Sequence, residues 1–149
     1  MHQRGIIHRD LKPDNILLNS DKEGVLDVRV ADLGLACKAS VDEVLEHKCG
    51  TPSYIAPEVL AKTGYSFKSD LFSLGSIMFN LVTGRFLFYA DSLTEMLRLN
   101  KECDLQCLQD PSIKLSPLGL DLMKRLLEKD PTRRPSAKDA LKHPWFKED

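Results

Sequence analysis

The stretch His8-Arg9-Asp10-Leu11-Lys12-Pro13-Asp14-Asn15 brings together carboxylates, an ammonium and an amide. Hydrophobic packing gives no reason for that grouping. Asp32-Leu33-Gly34 and Ala56-Pro57-Glu58 follow in that order. Such side chains suit phosphoryl transfer, which asks a protein for positioning and charge neutralisation more than for covalent chemistry. A hard cation that bridges phosphates prefers oxygen ligands, which Asp and Asn supply. Any one of these residues alone reads as a solvated turn residue, because Asp, Asn and Lys favour loops. The string as a whole has no comparably simple structural explanation.

In set and order these segments resemble the catalytic loop, the metal-binding triplet and the end of the activation segment of protein kinases. The resemblance runs from His2 to Phe146, and Lys12-Pro13 is similar to the serine/threonine rather than the tyrosine kinases. It implies ATP and Mg²⁺ as cofactors and a protein hydroxyl as substrate. Asp10 then accepts or orients the proton of the attacking hydroxyl, Lys12 steadies the transferring phosphate, and Asn15 and Asp32 hold Mg²⁺. Lys12, Asp14, Asn15, Leu17 and Asp32 form the nucleotide-facing set. Leu17 is placed under adenine, although a core position in a short strand explains it equally well. Thr51 is expected to bridge Asp10 and Lys12 within a substrate-docking segment that runs from Cys49 to Glu58.

Other implied roles are structural. His8 and Leu33 take spine positions, and His2 packs against the loop. Asp70 accepts hydrogen bonds from the loop backbone, and Glu58 pairs with Arg134 in the interior. Arg9 occupies the position that pairs with a phosphorylated loop residue in relatives. Here Ser40 is the only hydroxyl residue between Asp32 and Cys49, while Asp42, Glu43 and Glu46 bring fixed charge. A nearby carboxylate is therefore expected on Arg9, with loop phosphorylation not required. The ending His143-Pro144-Trp145-Phe146 resembles the calcium/calmodulin-dependent kinase group. Leu33 stands where phenylalanine is usual, and Asp14 and Asn80 where basophilic relatives carry glutamate. Gly84-Arg85-Phe86-Leu87-Phe88 lacks the usual proline.

Hydrophobic periodicity suggests how these residues are carried. Ile16–Leu18 and Val28–Val30 read as a β-hairpin around the turn 19–24. Residues 36–53 are polar and aperiodic, a surface loop long enough to suspect function. From Lys68 to Thr83 apolar residues fall on every side of a helix closed by Gly84, which predicts a post buried all round. Ser92-x-x-Glu95 looks like a capping box and Ser116-Pro117 like an N-cap with proline at the first helical position, while Ser136-x-x-Asp139 starts a last short helix that His143-Pro144 ends. The expected fold is mainly α with a short hairpin, a protein-kinase-like helical lobe forming one partial kinase domain over 1–149.

Composition agrees with that class. At 149 residues the chain suffices for one core but falls short of two kinase lobes. No G-x-G-x-x-G occurs, so the Gly-rich loop, strand lysine and helix glutamate of an N-terminal lobe are expected to be missing. A net charge of -1 argues against nucleic acid or an acidic membrane as partner. No apolar run approaches the roughly 20 residues of a membrane span. The four cysteines lack finger-like spacing and read as reduced thiols of an intracellular, cytoplasmic or nuclear protein. Two functions stand side by side, a serine/threonine kinase and a non-catalytic kinase-like binding or scaffold module. The chain alone is expected to be inactive, with negligible ATP binding. An apolar patch around Ile6, Ile7, Leu17 and Leu33 is expected to leave it marginally stable or self-associating.

Overall fold

The computed structural model describes residues 1–20, 25–40 and 43–147. Four short strands come first: β1 (Ile6–Ile7), β2 (Ile16–Ser20), β3 (Leu26–Val30) and β4 (Cys37–Lys38). Five helices follow: α1 (Pro57–Ala61), α2 (Lys68–Thr83), α3 (Leu93–Glu102), α4 (Pro117–Leu126) and α5 (Ala137–Ala140), with short 3₁₀ turns at several joints.

The expected hairpin is present as β2–β3, antiparallel with Ile16 opposite Val30 and Ser20 opposite Leu26. Of its turn, residues 21–24 lie outside the described residues. A second antiparallel pair joins β1 to β4, with Ile6 opposite Lys38 and Ile7 opposite Cys37. It corrects the reading of 36–53 as loop throughout. Two-residue strands are too short to carry a periodicity, so pairing across the chain decides them.

The helices begin and end where their caps place them. Ser92, Ser116 and Ser136 each accept the backbone N–H three residues on, from Glu95 (3.2 Å), Gly119 (3.1 Å) and Asp139 (3.1 Å). The capping box at Ser92 is half made, because the Glu95 carboxylate turns to Arg98 instead. Gly84 closes α2 at φ 69°, a left-handed conformation that costs glycine little, and its N–H donates to the Asn80 carbonyl.

The core lies along α2. Phe72 and Phe79 pack with Ile55, Tyr65, Met123 and Leu127, while Leu71 joins Leu122, Leu126 and Ala140 on another side. Burying each phenylalanine contributes about 1.5–3 kcal/mol. The helix is not buried all round, however. Leu74 is 41% and Leu81 73% exposed, and with Met78, Val82, Leu141 and Trp145 they line an apolar groove of about 530 Å³. Sequence periodicity reports which residues are apolar, and only packing decides which of those faces is covered. The expected open patch also needs correction. Leu17 and Leu33 are exposed, but Ile7 is fully buried and Ile6 partly so, because β4 lies against them. The four cysteines are free. Among the described residues no helix is long and apolar enough to cross a membrane.

Candidate active site

The segment from His8 to Asn15 hangs from the first turn of α2, where a carboxylate meets the positive end of a helix. Asp70 sits there, buried. Its Oδ2 accepts the His8 N–H at 2.9 Å and its Oδ1 the Arg9 N–H at 3.0 Å. His2 Nε2 lies 2.8 Å from Oδ2, so the upstream histidine packs against the same anchor. The His8 ring is fixed as well. Its Nδ1 accepts the Asp10 N–H at 3.3 Å, which leaves Nε2–H to donate to the Ala31 carbonyl at 2.9 Å. Ala31 in turn donates its N–H to the Asn15 carbonyl at 2.8 Å. These bonds carry the loop onto the residue just before Asp32. Arg9 and Asp32 adopt left-handed backbone at φ 68° and 58°. Each such residue costs about 1–3 kcal/mol and persists only where its surroundings dictate it.

Asp10, Lys12 and Thr51 meet as expected. The Thr51 hydroxyl donates to Asp10 Oδ1 at 2.6 Å and accepts from Lys12 Nζ at 3.2 Å. Lys12 Nζ also stands 3.0 Å from Asp10 Oδ2. Burial of Asp10 opposes its ionisation, but the Thr51 and Lys12 hydrogen bonds outweigh burial and hold its pKa below the ordinary aspartate value. The hydrogen bond to Asp10 raises the pKa of Lys12, with Asp14 and Asp32 adding to it. At neutral pH the cluster is therefore a carboxylate and an ammonium joined through a hydroxyl.

Asn15 is buried, and its Nδ2 donates to the Asp10 carbonyl at 2.9 Å, which orients the amide and leaves Oδ1 as its other end. Asp32 is exposed, and its Oδ1 accepts the Gly34 N–H at 3.1 Å. Among the described residues no group of three or more His, Cys, Asp or Glu gathers for a metal ion. One carboxylate and one amide oxygen nevertheless fit Mg²⁺, which keeps most of its shell as water and phosphate oxygens. Asp14 lies exposed in the 3₁₀ turn Pro13–Asn15, and Leu17 is 55% exposed on β2.

The segment ahead of α1 docks on this loop through contacts that the sequence does not announce. Gly50 has φ 114°, and a Cβ there would meet the Arg9 carbonyl at 2.8 Å, so only glycine allows so close an approach. Ser73 donates to the Tyr54 carbonyl at 2.8 Å and Ser76 to the Ser53 carbonyl at 3.1 Å, pinning the segment to α2. Buried Asn100 donates to the Pro52 carbonyl at 2.9 Å. Glu58 and Arg134 form the expected interior pair, bidentate at 2.8 and 3.1 Å. Arg134 also donates to the carbonyls of Lys68 and Glu128 and lies over the Phe72 ring.

One expectation is not met among the described residues. No carboxylate pairs with Arg9 among the described residues. Its Nε donates to the Leu35 carbonyl at 2.5 Å and one terminal nitrogen to the Tyr65 hydroxyl at 3.2 Å. Glu43 instead accepts the Ser40 N–H at 3.0 Å, and Asp42 lies outside the described residues. Tyr65 was not legible as a partner, because no periodicity links it to Arg9.

The chain belongs to the protein kinase domain family, which it matches over residues 1–146. It is 40% identical over 147 residues to myosin light chain kinase A of Dictyostelium discoideum, covering 99% of this chain and 50% of that protein. It is 38% identical to the liver/testis isoform of the phosphorylase b kinase gamma catalytic chain of Bos taurus, covering 98% of this chain and 36% of the relative. A serine/threonine-protein kinase of Xenopus laevis is also 38% identical, with 23% of its length covered. The chain thus spans half or less of the length of these relatives.

Proposed function

We propose that residues 1–149 are the helical part of a protein serine/threonine kinase domain. Joined to a nucleotide-covering N-terminal lobe, it transfers the γ-phosphate of ATP to serine or threonine hydroxyls of a protein substrate. The observation that carries this reading is the Thr51 hydroxyl set between Asp10 (2.6 Å) and Lys12 (3.2 Å). It holds an ionised carboxylate and an ammonium in register where an incoming hydroxyl and a phosphate would meet.

In this reading Asp10 orients the substrate hydroxyl and takes its proton, and Lys12 balances charge on the phosphoryl oxygens. Asn15 and Asp32 would hold Mg²⁺, which when bound neutralises the nucleotide phosphates. Leu17 would lie under adenine, with Asp14 at the edge of the nucleotide-facing set. The placement in the calcium/calmodulin-dependent group rests on His143-Pro144-Trp145-Phe146 and belongs to the proposal. So does a cytoplasmic setting, which the four free thiols support. A second reading, a non-catalytic binding or scaffold module, draws on the exposure of the β2–β3 hairpin. Retention of Asp10, Asn15 and Asp32 favours the kinase.

Fusion to a matching N-terminal lobe tests both readings. Mg²⁺-dependent phosphorylation of serine or threonine is expected, lowered about 10²–10⁴-fold by Asp10→Asn with the helical circular dichroism unchanged. Asp32→Asn should act in the same direction, and Thr51→Ser should retain more activity than Thr51→Ala. A fused enzyme that is inert, or indifferent to Asp10→Asn, would leave the binding module as the better reading.

A further inference from the structure

Among the described residues the side chain that meets the Arg9 guanidinium, next to Asp10, is a phenol. Tyr65 lies just ahead of α2 and is 4% exposed. Its hydroxyl donates to the His47 carbonyl at 2.6 Å, and its oxygen accepts from Arg9 at 3.2 Å. Cys49 Sγ stands 3.7 Å from the same oxygen. The backbone is tied too, because Leu45 and Tyr65 each donate an N–H to the other's carbonyl at 3.0 Å. Arg9 completes the link by donating to the Leu35 carbonyl. One side chain thus joins the Asp10 loop to residues 45–49, while Arg9 holds the stretch after Asp32. Burial raises the pKa of Tyr65, so the phenol keeps its proton at neutral pH.

Activation segments of this kind are commonly ordered when phosphorylation supplies a new partner for an arginine. Here that arginine already meets Tyr65 inside the fold, and Ser40, the sole hydroxyl residue between Asp32 and Cys49, is exposed. The close approach of Gly50 to the Arg9 carbonyl extends the same contact toward Thr51.

We propose that Tyr65 is a positioning residue whose hydroxyl locks residues 45–49 onto Arg9, so that Thr51 reaches Asp10 without a phosphate on the loop. Its effect on turnover rests on the kinase reading; the lock itself does not. The 149-residue chain therefore carries the first test, read as native tryptic cleavage after Lys48 and alkylation of Cys49, both followed by mass spectrometry. Tyr65→Phe keeps the buried ring and removes only the hydroxyl. Both rates should rise about tenfold or more, the scale of a hydrogen bond to a charged group. Arg9→Lys should accelerate them as well, and the combined variant should be no faster than the quicker single one. Unchanged rates in Tyr65→Phe, or effects that add in the combined variant, would overturn the lock. In the lobe-fused enzyme, Tyr65→Phe should lower kcat about tenfold with KM for ATP unchanged. Phosphatase treatment of the wild-type fusion should leave its activity intact, and loss of activity on that treatment would overturn the phosphate-free role. A fused wild type that transfers no phosphate removes the kinase reading, while the cleavage rates still decide the lock.

Discussion

Arg134 carries its charge with a side chain that is 0% exposed, which is tolerable only because every donor direction is answered. Glu58 takes two of its hydrogen bonds and main-chain carbonyls take the others. Substituting Arg134→Met should therefore do more than delete a contact, because it strands a buried carboxylate. The expected loss is about 3–5 kcal/mol, read as a lower urea midpoint. Adding Glu58→Gln to that variant should recover part of the loss, since the unpaired charge is then gone. A single variant as stable as the wild type would show that the pair does not tie the segment ahead of α1 to the C-terminal helices.

The connection between α3 and α4 depends on a carboxylate whose state can be read directly. Asp110 accepts the Ser112 N–H at 2.9 Å and an Arg85 N–H at 2.7 Å. Its pKa is lowered to about 2, by the Ser112 hydrogen bonds first and by Arg85 after them. Because the folded pKa lies below the unfolded one, this group stabilises the fold fully above about pH 4. That contribution is lost as pH falls through about 2. A carboxyl-carbon NMR titration should give a midpoint near 2, and Arg85→Ala should raise it without restoring the ordinary value. A midpoint near 4 in the wild type would mean that the turn does not hold these bonds in solution.

Across the whole molecule, order is unevenly distributed. The helical core is layered around α2, whereas β2 and β3 are exposed along nearly their full length. A two-stranded hairpin without a packed face is marginal in water. Amide hydrogens of β2 and β3 should therefore exchange much faster than those of the buried face of α2. The same openness exposes Leu17, so under the proposed kinase reading the 149-residue chain by itself should bind Mg·ATP negligibly and transfer no phosphate. Calorimetry showing micromolar Mg·ATP affinity, or labelled phosphate moving to a protein substrate, would contradict that expectation.

The candidate site was legible in one dimension because its loop keeps the interacting groups close together. Asp10, Lys12 and Asn15 sit within one short stretch, and Ser92, Ser116 and Ser136 cap helices through backbone bonds three residues away. Local hydrogen bonding and helical periodicity need no knowledge of distant partners. The family resemblance also reached distant contacts, Thr51 with Asp10, Asp70 with the His8 backbone and Glu58 with Arg134, but other distant contacts were decided only by folding. The β1–β4 pairing, the exposed side of α2 at Leu74 and Leu81, and the contact of Arg9 with Tyr65 all depend on which surfaces meet. A loop rich in Asp and Glu suggests an ion pair by composition. Among the described residues packing puts a tyrosine on the arginine, because the ring fills core space beside α2 while its hydroxyl answers both the guanidinium and the His47 carbonyl.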